Sequence, residues 1–163
     1  MIFNKQTNKL GISEYRLENI EKEIVKTKLK LIDEYCTFNE EKIEFKYLKK
    51  INTFLFCDLY YREDIGIRKI SKTEKALIDQ YLNKLICLCK YKKENKEEIL
   101  SIMKKIWELQ PFQRGNTRTL LAYLKVLNNA FLLNLDVDVN MEIISGPSVF
   151  NINNFVNQKR LTK

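Results

Sequence analysis

The chain is 163 residues long, 45% hydrophobic and 31% charged, which excludes a disordered chain and fits one globular domain over residues 1–163. Four glycines and two prolines are too few turn formers for a many-stranded sheet and point to an all-α fold. A formal charge of +8 admits nucleic acid, acidic protein or nucleotide as partner, while the absence of histidine removes the usual side chain for acid–base catalysis near neutral pH.

In chain order, Ser13 is placed to cap a helix reaching about Cys36, with Leu17, Ile20, Ile24, Leu31 and Tyr35 recurring on one face. A second helix is expected over residues 45–60, where Leu48, Ile51, Leu55 and Leu59 form a stripe that Phe54 and Phe56 broaden. The helical period fails over residues 62–71, and Ile65, Ile67 and Ile70 around Gly66 predict a short extended or hairpin-like segment. Ser71 with Glu74 predicts a capping box for a third helix carrying Leu77, Ile78, Tyr81, Leu85 and Leu88, and Asn95 with Glu98 repeats the device for a fourth. That fourth helix carries Ile99, Ile102, Met103 and Ile106 toward Gln110, where Pro111 is expected to force an extended residue. A loop follows, then a buried helix from Thr117 through Leu120, Leu121, Leu124, Leu127 and Phe131, and a last helix around Val149, Ile152, Phe155 and Val156.

No apolar run reaches bilayer-spanning length and residues 1–9 lack the apolar stretch of a signal peptide, so a cytoplasmic protein without a membrane partner is expected. Cys36, Cys57, Cys87 and Cys89 lie in apolar helical contexts and read as buried free thiols, with no metal site, since zinc here would need an all-thiolate set. Lysines alternate with glutamates, as over residues 90–98, which describes a solvated helix face and leaves nucleic acid as an unexpected partner. There is no internal repeat, linker or low-complexity tract.

Chemistry concentrates at one junction. Gly115, Asn116, Thr117 and Arg118 stand where a loop enters a helix, so bare backbone amides, the positive end of the helix dipole and a guanidinium would together favour an anion. The same residues also read as architecture, with Gly115 making the turn, Asn116 capping the helix and Arg118 a first-turn charge.

The stretch Gln110-Pro-Phe-Gln-Arg-Gly-Asn-Thr-Arg-Thr119 resembles the signature of the Fic (Fido) family, written HPFxxGNxRT. The segments Asn8-Lys-Leu-Gly-Ile12 and residues 43–60 look similar to the family's N-terminal stretch and to the helix before its target-binding flap. The resemblance implies a Fic-type helical bundle with a short β-hairpin flap at about 61–72, a motif loop at 110–121, and transfer of AMP from ATP to a protein hydroxyl. It assigns phosphate binding to Arg114, Gly115, Asn116, Thr117 and Arg118, and target docking by strand pairing to Ile65, Gly66, Ile67 and Arg68. Phe112 would anchor the loop in the core.

Three departures alter that expectation. Gln110 stands where the family has its general-base histidine, and a carboxamide has no usable basicity near neutral pH. Arg114 stands where the family has the acidic ligand of magnesium, and a cation there repels Mg2+ while offering its own charge to phosphate. Leu121 replaces a second arginine, and the family's inhibitory motif, [S/T]xxxE[G/N], has no full match. The resemblance then implies a protein that binds ATP, another nucleotide or phosphate with weak or no AMP transfer. Two alternatives stay open: a transferase in which Gln110 orients the nucleophile and proximity does the rest, and a protein-interaction module with a vestigial site.

Overall fold

The computed structural model describes residues 8–35, 45–137 and 146–152. The described residues are all-α: α1 (Glu14–Tyr35), α2 (Phe45–Phe56), α3 (Lys72–Tyr91), α4 (Lys96–Glu108) and α5 (Asn116–Phe131), with short 3-10 turns between α2 and α3 at Arg62–Asp64 and after α5 at Gly146–Phe150.

The start signals are where the sequence puts them. Ser13 Oγ accepts from the Arg16 amide at 3.4 Å, Ser71 Oγ from the Glu74 amide at 3.1 Å, and Asn95 Oδ1 from the Glu98 amide at 3.3 Å. The buried face of α1 is Leu17, Val25, Leu29 and Ile32. Leu31, expected on that face, is 37% exposed, because it sits one position round the helix from Ile32. The side chain of Tyr35, and Cys36, lie outside the described residues.

Helix α2 stops at Phe56, short of the expected Tyr60, yet Leu59 and Tyr60 stay buried. Their amides both bond Phe56 O, at 3.1 Å, so the apolar pattern runs on through a turn. Helix α5 is central: it packs on α1, α2, α3 and α4, and residues 119–124, Val126 and Leu127 are buried. Leu121 is 3% exposed, a core position with no room for the charge of a second arginine.

Four expectations need correction. The segment 62–71 forms no hairpin; the described residues contain no strand, and Ile67 makes a single antiparallel bridge to Phe112. Gln110 is not extended but left-handed, at φ 47°, because its amide closes the end of α4 on Trp107 O at 2.9 Å. Of the cysteines, Cys89 is buried and Cys57 half-buried, but Cys87 is exposed, since Ile86 and Leu88 on either side take the core-facing arc of α3. At the start of the expected last helix, residues 146–150 form a 3-10 turn that seats Phe150 in the core and packs on α4, while Phe155 and Val156, the rest of that expectation, lie outside the described residues. No described helix is long and apolar enough to cross a membrane.

Candidate functional site

The loop at 110–115 is held from three sides. Phe112 is 2% exposed and stacks on Phe45 with ring centroids 5.9 Å apart, the anchor role the sequence predicts. The flap pairs with it through its backbone: the Arg68 amide donates to Pro111 O at 3.0 Å and the Gln113 amide to Gly66 O at 2.9 Å. Beneath both lies Asn52 of α2, fully buried, whose Oδ1 accepts from the Gly66 amide at 2.8 Å. Its Nδ2 donates to Arg114 O at 2.9 Å and to Thr119 Oγ1 at 3.0 Å. One carboxamide therefore joins α2, the flap, the loop and α5.

Gly115 takes a left-handed conformation, φ 73° and ψ 34°, and a Cβ there would overlap the Phe56 ring. Only glycine satisfies both demands. Asn116 does not cap α5; it is the first helical residue and folds back over the loop. Its Oδ1 accepts from the Phe112 amide at 2.8 Å, while its Nδ2 donates to Phe112 O and to Gln110 Oε1, each at 3.1 Å. Gln110 completes the clasp by donating from Nε2 to Trp107 O at 2.9 Å. Thr117 Oγ1 accepts the Trp107 indole N–H at 2.8 Å.

Arg68 is turned inward from the flap. Its guanidinium donates to Gln110 O at 2.6 Å and Leu109 O at 2.8 Å, and pairs with Glu74 at 2.5 Å. A cation on the closing carbonyls of α4 complements the negative end of that helix, and the same guanidinium holds the Glu74 carboxyl below its ordinary range.

The charge of the motif faces α1. Arg118 Nη1 lies 2.8 Å from Glu21 Oε1, with both side chains largely covered. Glu21 Oε2 accepts the Tyr60 hydroxyl at 3.0 Å, and the Arg114 guanidinium lies over the Tyr60 ring, 4.1 Å from its centroid. Burial, and then the facing Glu21 carboxylate, push the Tyr60 phenol up to about 12.

This makes stability pH-dependent on the alkaline side. A group whose folded pKa lies above its unfolded value stabilises the fold below the unfolded pKa and loses that contribution as pH climbs to the folded one. Tyr60 is raised from 10.0 to about 12 and Cys89, by burial, from 9.0 to about 12. Urea midpoints should therefore hold steady near neutrality, decline from pH 9 and fall further through pH 12. Tyr60→Phe should make the decline above pH 10 shallower without abolishing it, since Cys89 and the buried Tyr123, both also raised, still lose stability there; an unchanged slope in that variant would contradict the assignment.

The structure thus brings Gln110, Arg114, Gly115, Asn116, Thr117 and Arg118 together around one turn, with Ile65, Gly66, Ile67 and Arg68 against it. It also supplies three residues the sequence reading passed over, Asn52, Glu21 and Tyr60. A signal existed for two of them: Glu21 falls midway between Leu17 and Val25 on the buried face of α1, and Asn52 follows Leu48 by one turn. A polar residue inside an apolar stripe needs a buried partner. Compared with known families and characterised proteins, the chain matches no family model and no characterised protein.

Proposed function

We propose that the chain is a Fic-like fold that binds the phosphate of a nucleotide at the start of α5, with weak or no AMP transfer. The observation that carries this reading is the left-handed turn at Gly115, which opens α5 so that the amides of Asn116, Thr117 and Arg118 have no intrahelical acceptor. The exposed Arg114, in the loop one residue before Gly115 with its guanidinium over the Tyr60 ring, adds a further cation.

The same geometry argues against ordinary transfer. Gln110 accepts no proton, and both ends of its carboxamide are engaged within the protein. Among the described residues, Glu21 is the carboxylate that bonds a motif side chain, and Arg118 neutralises it. On this reading Arg114, a cation where the resemblance puts the magnesium ligand, and the α5 amides take the phosphate charge, and binding without a divalent cation is the expected result.

Calorimetry with ATP, ADP and AMP, each with and without magnesium, tests this. Magnesium-independent binding is expected, weakened about tenfold by Arg114→Ala, the worth of one charge-assisted hydrogen bond. Glu21→Gln should tighten it, because Arg118 then gives up a neutral partner instead of an anion. Absence of binding to all three nucleotides at millimolar concentration would sink the reading. Arg118→Ala is the poorer probe, since it strands Glu21 as a covered, unpaired charge.

One observation favours a second reading, an interaction module. Asn116, Thr117 and Arg118 all spend their side chains on protein partners, as a purely architectural loop would. A target strand in that case has only the outer edge of the flap, because Gly66 O and the Arg68 amide are already bonded to the loop.

A further inference from the structure

A cleft of about 480 Å3 opens on the other side of the flap, lined by Lys9, Lys49, Thr53, Cys57, Tyr60, Arg62, Ile65, Gly66 and Ile67. None of the motif residues lines it. We propose that this cleft is a binding site for a small organic phosphate, an apolar ring carrying one phosphate group, and that it is separate from the α5 junction.

Three observations converge on that chemistry. The volume is that of a small-molecule site and exceeds what a bare inorganic anion needs. The lining is mostly apolar, with the half-buried Ile67 at its wall and the buried Ile65 and Tyr60 behind it. Among the described residues the lining contains three cations, Lys9, Lys49 and Arg62, and no acidic side chain. Lys9 is engaged, its Nζ donating to Cys57 O at 2.7 Å. Lys49 on α2 and Arg62 at the start of the flap make no hydrogen bond or ion pair among the described residues. Two uncommitted cations at one apolar cleft match the charge of a phosphate monoester, which is close to dianionic above its second pKa of about 6.

The proposal does not depend on the α5 site, and its test separates the two. Binding of 1-naphthyl phosphate to the full chain is followed by calorimetry, with 1-naphthol and inorganic phosphate as the two halves of the ligand. Saturable one-to-one binding of the ester, at least tenfold tighter than either half, is expected. Charge reversal by Lys49→Glu with Arg62→Glu should weaken it at least tenfold, and Thr53→Trp, which fills the cleft from an exposed position on α2 without changing charge, should do the same; Arg114→Ala, which reaches the cleft only by way of the buried Tyr60 ring, should change it less than about threefold. Both cleft variants are checked for native helical circular dichroism and melting. No saturable binding, or binding that survives both folded cleft variants, would overturn the proposal. Loss with Arg114→Ala alone would overturn it too, moving the ligand to the α5 junction, and inorganic phosphate binding as well as the ester would overturn the assigned ligand class.

Discussion

Alanine at Gly115 should cost the protein about 2–5 kcal/mol, a fall of roughly 5–15 °C in the midpoint of thermal unfolding for a chain of this size. Two separable effects make up the loss. The backbone at φ 73° disfavours any L side chain by about 1–2 kcal/mol, and the new methyl meets the fully buried ring of Phe56, an overpacking that costs about 1–3 kcal/mol. Adding Phe56→Leu to Gly115→Ala should recover part of the second effect and none of the first, a coupling that a double-mutant cycle reads directly. A Gly115→Ala protein melting within about 1 °C of the wild type would mean that the turn is not built as described. Bulky substitutions at Gly115 are therefore no test of ligand binding, because the fold fails before the site does.

Leucine at Asn52 should be at least as damaging. The side chain is of similar size, so packing changes little, but the Gly66 amide, the Arg114 carbonyl and the Thr119 hydroxyl all lose a buried partner. At about 1–3 kcal/mol for each stranded group, with some relief from Thr119 turning its hydroxyl toward Arg114 O, the loss should be about 3–6 kcal/mol in urea denaturation. Asn52→Asp keeps the shape and the Gly66 contact but sets a carboxylate oxygen against the Arg114 carbonyl, two acceptors facing each other, so it should also destabilise. A loss below about 1 kcal/mol for Asn52→Leu would show that water or a rearranged flap satisfies these groups.

Features set by neighbours in the chain were legible. The caps at Ser13, Ser71 and Asn95 depend on a residue and the amide three positions on, and the stripe Leu48, Ile51, Leu55 depends only on helical spacing; all of them hold. Where distant segments meet, local rules gave the wrong answer. Gln110 precedes a proline and should be extended, but closing α4 on Trp107 O while turning into a loop clasped by Asn116 demands the left-handed region. The isoleucines around Gly66 alternate as a hairpin would, yet their pairing partner is Phe112, forty-five residues away, and no pattern in either segment names the other. At the candidate site, the sequence located the turn and its glycine correctly but could not see that Arg118 faces Glu21 or that Arg114 lies over Tyr60, since such pairs depend on how α1 and the turn after α2 pack against α5 and its loop.

The clamp formed by Arg68 has a mechanical consequence. Its guanidinium and amide, with the Gln113 amide and the Gln113 Nε2 bond to Ile65 O at 3.2 Å, tie the flap to the end of α4 and the loop at several points along one seam. Such a seam opens as a cooperative unit or not at all. The flap is then not a door swinging over a fixed site: Ile65 and Ile67 shift only together with the loop to which the seam ties them.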